Sequence, residues 1–593
     1  ASQTQAGQGG LTGLRGQYVS DCRTLYDGIY ELEQEYSTRD PGINFRVWTD
    51  GFNQPYQEEE ILEYVDDTAG RILQLRPQRV LEVGAGTGLL LFRLAPHCQS
   101  YHATDVSPSA AEYLRRRLKA QRPPLSGVSV EQRAAHDFKG LEKQSFDAMV
   151  LNLVAMHFPD AEYLIGFLEK AVELLAPGGF LFAGGLRSLP LFETFLTRIQ
   201  LESAPASLSR RRLRDRVRER AVQEKDLLID PALFSAFGQS SPYVGHVEIR
   251  PLGGRSHNDL NRYLYDAVLH LCEPPRLDAP SWRDWKQEGL DLAALRRLLI
   301  EKGPRRLAFF NVPNARLAKD VRLQELMALA DGPRTAGELR KALRRETFEE
   351  AVDPAQLWDL GKDEDVPYDV QLSWASNPSD GSLDLVLSRG RKSSPQSLWF
   401  PPRGVFSPKP WNDYVNKPLQ GMRSKRLDRE LRRFLETALP DSHVPSFFVF
   451  LDSLPRNPNG KVAREALARP QGTVLDESFE SDPPQGETEI RIAGIWRELL
   501  PVEKVGRHTD FFQLGGHSLL ATQVVNRLRY KMTVEVALLD FLKNPTIAAL
   551  AEKVEEARKS SSLEQAKVAQ VLKEVRGLSE GEVEAMLSEG RTN

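Results

Sequence analysis

The chain has 593 residues, the length of roughly four domains at about 150 residues each. Its 78 Lys+Arg and 82 Asp+Glu give a formal net charge of -4, which excludes the basic surplus that general nucleic-acid or anionic-membrane binding needs. Hydrophobic residues at 41% exclude wholesale disorder. No run of about 18 uncharged apolar residues marks a membrane span, and Cys22, Cys98 and Cys272 are too few and too scattered for a disulfide framework or a cysteine zinc site.

In chain order, residues 1–16 are polar and Gly-rich and read as a linker, and Tyr18–Tyr36 as one or two helices. Glu58–Leu75 carries Ile61, Leu62, Val65, Ala69, Ile72 and Leu73 at helical spacing. RVLEV (79–83) is a buried strand that opens an alternation of strands and helices. YHATDV (101–106), FDAMVLNLV (146–154) and APGGFLFAGG (176–185) supply further strands. Ser107–Lys119 and Asp160–Leu175 supply helices, the first capped by Ser107 or Ser109. This alternation predicts a parallel, doubly wound α/β sheet. Residues 190–240 read as helical and include the basic run at 209–220, which Asp215 and Glu219 interrupt; such runs are usually solvated faces. HVEIRPL, LYDAVLHL, VQLSW and LDLVLSR read as later strands. Residues 473–488 form an acidic Pro/Gly linker, 489–556 a compact helical block, and 557–593 a charged helical tail.

VLEVGAGTG (80–88) places Gly84, Ala85, Gly86 and Gly88 between a strand and an apolar helix, where glycines let backbone turn tightly and approach a ligand. Asp105 closes the next strand, where an acid accepts hydrogen bonds from ribose hydroxyls. Glu82, just before the loop, repels phosphates and suits a cationic ligand. S-adenosylmethionine carries a sulfonium and an ammonium and no phosphate, so the charges favour it over a dinucleotide.

The segment resembles the first motif of class I (Rossmann-like) methyltransferases. That resemblance implies contacts from Glu82, Gly84, Ala85, Gly86, Gly88, Asp105 and Val106 to the cofactor. It assigns the adenine to Asp137 and Phe138 in AAHDF, and the methyl end to Asn152 in LNLVAMHF. Candidates for alignment and deprotonation of the acceptor are His157, Arg187, Glu224 and Asn258, each of which also has an ordinary structural reading: His157 as a wall residue, Arg187 as the partner of a structural acid, Glu224 as a solvated acid on a helix.

FAGGLRSLPLFETF, VQEKDLLIDP, HVEIRPLGGRSHNDLNRYLYDAVLHL and NVPNARLAKDV are together similar to the methyltransferase domains embedded in non-ribosomal peptide synthetases. In that family the domain interrupts an adenylation domain and usually N-methylates an aminoacyl thioester. Arg187, Asp230, Arg255, Asn258 and Asp266 fall on family positions. The chain departs from the family at Gly184-Gly185-Leu186, where an acid is lost, and at Met156-His157, which replaces a Gln-Tyr pair. Both departures lie on the acceptor side.

LPDSHVPSFFVFLDSLPRNPNGKVAREAL resembles the mobile C-terminal subdomain of adenylation domains, with Lys461 as its catalytic lysine; without the adenylation core, no adenylation is expected from this chain alone. DFFQLGGHSLLATQVVNRLR resembles the carrier-protein motif, with Ser518 bearing 4′-phosphopantetheine at a helix start that favours a phosphodiester.

The predicted organisation is a linker and lid element (1–45), a cofactor-binding core (46–190), a methyltransferase lid and α+β extension (191–424), a small α+β adenylation subdomain (425–472), a linker (473–487), a helical-bundle carrier (488–556) and a tail (557–593). The expected partners are a carrier-bound aminoacyl substrate, an adenylation core, a condensation or downstream module and a phosphopantetheinyl transferase, in the cytoplasm. O- or C-methylation of a carrier-bound acyl group, and a purely architectural role, are the competing readings.

Overall fold

The computed structural model describes residues 2–36, 48–52, 54–272, 281–375, 379–390 and 408–419. It also describes 483–500, 505–509, 518–532, 536–543 and 545–558, with isolated positions between these stretches. The chain divides into two units, residues 1–431 and 432–593.

The first unit is built on a seven-stranded sheet in the order β3-β2-β1-β4-β5-β7-β6. Strand β1 (Arg79–Val83) lies between β2 (Ser100–Asp105) and β4 (Phe146–Asn152), parallel to both. Outside them lie β3 (Val128–Gln132) and β5 (Leu175–Arg187), also parallel. Strand β7 (Leu264–His270) enters antiparallel between β5 and the edge strand β6 (His246–Pro251). The central strands read as near-continuous apolar runs because helices cover both faces. The expected doubly wound α/β core is present, with two differences from the sequence reading. β3 was not expected, since its mixed VSVEQ pattern is only partly buried. β6 and β7 belong to the core sheet, whereas the predicted core stopped at residue 190; the helices inserted before them separate them in sequence but not in space.

The helices α2 (Glu58–Gln74), α4 (Pro108–Ala120) and α5 (Ala161–Leu174) sit where periodicity placed them. Ser107 and Asp160 cap α4 and α5 through their side chains. Residues 1–16, expected as a linker, are instead the start of one helix, α1 (Ser2–Tyr36). Its glycines make it a poor autonomous helix, and contacts made by Leu14, Arg15, Tyr18, Tyr26 and Asp27 hold it.

The block expected to be helical is three helices, α6 (Phe192–Ser203), α7 (Arg210–Val222) and α8 (Ala232–Ser240). Leu201, Leu213, Leu323, Leu326 and Leu339 form a small separate core under this lid. The basic run lies on α7, where Arg210 and Arg214 donate to backbone carbonyls of residues 326–330 and so tie the lid together. A second, four-stranded sheet contains the strands Trp282–Asp284, Arg306–Val312, Tyr368–Ser373 and Leu383–Arg389, which is the expected α+β extension.

In the second unit, helices span Gly486–Leu499, Ser518–Met532, Leu538–Lys543 and residues 547–558. They close on Trp496, Phe511, Val524, Leu528, Phe541, Ile547 and Val554. Most of the predicted adenylation subdomain and all of the predicted tail beyond residue 558 lie outside the described residues. Lys461 is exposed. Among the described residues, no helix is long and apolar enough to cross a membrane.

Candidate functional site

The C-terminal ends of β1, β2, β4 and β5 open into one cavity of about 640 Å³, at the point where strand order reverses. Its floor is the glycine loop. Gly84 (φ 76°) and Gly86 (φ 53°) hold left-handed backbone, and a Cβ on Gly84 would come within 2.3 Å of Val154 Cγ2. The amides of Gly84 and Ala85 both donate to the carbonyl of Thr104, which ties the loop to β2.

Two buried carboxylates face this floor. Asp105 is 5% exposed. One of its oxygens accepts from the Gly86 amide at 2.8 Å and the other from the Ser107 amide at 2.9 Å. Each oxygen keeps acceptor capacity for a further donor, as vicinal ribose hydroxyls require. Burial raises the Asp105 pKa, against those backbone donors. Glu82 is 3% exposed and accepts from the Tyr101 hydroxyl at 2.9 Å. Burial pushes it up to about 7; the tyrosine lowers it and nearby Asp105 raises it further. Two buried, hydrogen-bonded carboxylates beside the loop fit a cationic nucleoside such as S-adenosylmethionine and disfavour a pyrophosphate.

Helix α1, within the segment expected as a linker and lid element, covers this floor; the residues by which it does so were not singled out from the sequence. Asp27 accepts from the Ser107 hydroxyl at 2.7 Å and the Ser109 amide at 3.0 Å, and Arg15 pairs with Asp160 and Glu162. Cys22, Tyr26 and Tyr30 thereby line the cavity. An Asp between two tyrosines in YDGIY was the available signal; without knowledge of the fold it had no target.

The opposite wall carries a polar cluster. His157 stands in a short turn after β4, and its Nε2 lies 2.6 Å from the Tyr26 hydroxyl. Burial raises the Tyr26 pKa, so the phenol keeps its proton and donates. Burial lowers the His157 pKa and Arg187 lowers it further, while Asp226 opposes them. Asp226 Oδ1 lies 3.9 Å from His157 Nδ1. Arg187, at the end of β5, pairs with Asp226 at 2.7 Å and Glu224 at 3.3 Å. Although burial alone lowers the Arg187 pKa, these two acids raise it overall. Glu224 was expected on a helix. It lies instead in the loop after α7, where its Oε1 accepts the amides of Lys225 and Asp226 and turns the chain inward. Asp226 was missed, although Glu224 and Asp226 stand two apart in VQEKD and fall on one side of an extended loop.

The cavity lining therefore brings together Glu82, Gly84, Ala85, Gly86, Asp105, Val106, Asn152, His157, Arg187 and Glu224. Asn152 accepts from the Tyr64 hydroxyl at 2.8 Å, and the next residue, Leu153, is held at φ 55°. Such strained backbone in a non-glycine residue collects at functional sites.

Other expected residues have structural positions. Gly88, Asp137 and Phe138 are not among the lining residues. Asp137 accepts from the Lys139 amide, and Phe138 packs on Phe167; Arg133, Ala134 and Ala135 line the cavity instead. Asn258, expected near the chemistry, caps the helix Asp259–Tyr263 and donates to Glu60, so its side chain is engaged outside the cavity. Arg255 pairs with Asp359 on the surface. Asp266 is buried against Arg71 and the Gly185 amide, and Asp230 accepts from the Ala232 amide.

Comparison with known proteins bears on both units. Residues 81–181 match a family model described as a methyltransferase domain, and residues 491–554 match one described as a phosphopantetheine attachment site. The chain joins a methyltransferase domain to a carrier domain, with non-ribosomal peptide synthetase homologues over most of its length. It is 35% identical over 563 residues to chondramide synthase of Chondromyces crocatus, covering 93% of this chain and 14% of that protein. It is 31% identical over 545 residues to cyclosporin synthetase of Tolypocladium inflatum, covering 87% of this chain and 4% of that protein. The carrier domain implies an acyl or aminoacyl substrate and a phosphopantetheinyl transferase to prime it. Ser518 is the first residue of its helix, Ser518–Met532. Within that helix Val524 is fully buried, with Leu520 and Val525 packed beside it.

Proposed function

We propose that this chain N-methylates an aminoacyl group held as a thioester on the Ser518 phosphopantetheine, using S-adenosylmethionine. The observation that carries the reading is one cavity whose floor presents Glu82 and Asp105 and whose wall presents Tyr26, His157, Arg187, Glu224 and Asp226.

When bound, S-adenosylmethionine supplies an electrophilic methyl group on a sulfonium. Asp105 would hold the ribose hydroxyls, and Glu82 would face the cationic end. The protein's remaining tasks are alignment and proton removal, because an α-amine attacks only when uncharged. Glu224 and Asp226 attract the incoming ammonium, and Arg187 fixes both acids. The ammonium proton passes through the Tyr26 hydroxyl to His157 Nε2, which burial keeps neutral and ready to accept it. The uncharged amine is then aligned for the methyl group that bound S-adenosylmethionine would supply, and His157 returns its proton to water.

The test uses the full chain with Ser518 primed and loaded with candidate aminoacyl-pantetheine groups, then given methyl-labelled S-adenosylmethionine. Mass spectrometry should place the label on the α-nitrogen. A label on oxygen or carbon would replace this reading with O- or C-methylation. Absence of cofactor binding by calorimetry would leave the architectural role.

A further inference from the structure

At the end of the core sheet away from the cavity, β6 and β7 bring together His246, Glu248 and His270. His246 and Glu248 stand two apart on β6 and so share a face. His270 lies directly across from His246 on β7. His270 lies six residue steps along β7 from Leu264 at the cavity end, roughly 20 Å of strand. All three residues are more than nine-tenths buried, with exposures of 6%, 8% and 8%. The methyl-transfer mechanism uses none of them.

We infer that His246, Glu248 and His270 form a binding site for a divalent transition ion of the zinc class, through His246 Nε2, His270 Nε2 and Glu248 Oε1. The distances support this. A tetrahedral ion with bonds of about 2.0–2.1 Å sets its ligand atoms about 3.3–3.4 Å apart. His270 Nε2 lies 3.2 Å from Glu248 Oε1, and His246 Nε2 lies 3.9 Å from it. The three candidate atoms all fall within 4.8 Å of one another. The imidazoles are stacked, with centroids 4.2 Å apart and an interplanar angle of 5°, so binding requires their rings to turn about a soft torsion. His270 Nε2 makes no hydrogen bond where it stands, and an ion would satisfy it.

The groups around the cluster are those that orient metal ligands. His246 Nδ1 faces the Cys272 carbonyl at 3.4 Å, which favours the tautomer with the proton on Nδ1 and the lone pair on Nε2. Arg250 pairs with Glu248 Oε2, while Oε1 is the oxygen that faces the two imidazoles. Two imidazoles and one carboxylate suit zinc, cobalt or nickel, and are a poor set for magnesium or calcium. The ion would clamp the last two strands of the sheet.

Metal-stripped full-length chain should be titrated with Co²⁺ alone and Zn²⁺ alone. The expected result is uptake of one ion per chain, with visible ligand-field absorption for cobalt and a raised melting temperature for both ions. H246Q and H270Q should each weaken uptake by more than about 100-fold and abolish the melting shift. Absence of uptake by the unmodified chain would overturn the proposal, as would uptake by either variant as tight as that of the unmodified chain. If the variants do not fold, X-ray absorption of the zinc-loaded unmodified chain decides: two imidazoles and no sulfur support the site, and any other ligand set overturns it.

Discussion

Glu82 illustrates how the site sets function against stability at a single residue. Its carboxyl titrates near 7 in the folded chain and near 4.5 in the unfolded chain, so the folded state binds the extra proton between those values. Stability from this residue is therefore lost as pH rises from about 4.5 through about 7, and no further above that. Glu82→Gln removes the loss and keeps an acceptor for Tyr101. Its unfolding free energy should exceed the parent's at pH 8 by on the order of 3 kcal/mol, and by much less at pH 5, as read by denaturant unfolding. It should also lose affinity for S-adenosylmethionine, because the cation no longer meets a carboxylate. In the parent, affinity should rise with pH up to about 7 and then level off. A flat affinity profile by calorimetry across that range would show that Glu82 does not meet the cationic end. Tyr26 and His157 call for a different readout. Tyr26→Phe and His157→Ala should each lower kcat about 10²- to 10⁴-fold while leaving cofactor Kd within a few-fold, since both lie on the proton path rather than under the ribose. Unchanged turnover would remove the relay.

Among elements, α1 matters most and was least legible. Its sequence is Gly-rich, its helix comes from packing, and composition alone made its first half a linker. By contrast, β1, the glycine loop, β2 and α4 were readable because tight turns and strand-end acids impose residue types locally. His157 and Arg187 could be nominated from their places after β4 and β5, but their partners could not: Tyr26 is 131 residues from His157, and Asp226 is 39 from Arg187. Asn258 shows the reverse error, since a family position became a helix cap. Because α1 is anchored at a few points, loosening one should act on binding before it acts on the fold. Asp27→Ala removes the acceptor for Ser107 and Ser109. It should raise the Kd for S-adenosylmethionine about tenfold and speed amide exchange in residues 13–30, with the melting temperature of the core nearly unchanged. Equal exchange in the variant and the parent would mean that α1 is held elsewhere.

For the whole molecule, the two units have separate cores, and each keeps its own stability. The carrier closes on the aromatic trio Trp496, Phe511 and Phe541, with ring centroids 4.8, 5.9 and 5.1 Å apart. A helical unit of this size has on the order of 5 kcal/mol of stability, and Phe541→Ala removes about 3–5 kcal/mol. That variant should lose the carrier's melting transition and its priming at Ser518 while still binding S-adenosylmethionine through the first unit. Tethering then explains why the two units share a chain. A substrate on the Ser518 arm is presented at an effective concentration on the order of millimolar, without any added affinity. Ser518→Ala should therefore leave cofactor Kd unchanged and abolish methylation in cis, and a soluble aminoacyl-pantetheine thioester at millimolar concentration should restore turnover. If the soluble thioester is not methylated while the primed parent methylates its own arm, the methyltransferase unit recognises the folded carrier itself, and tethering alone does not account for the linkage.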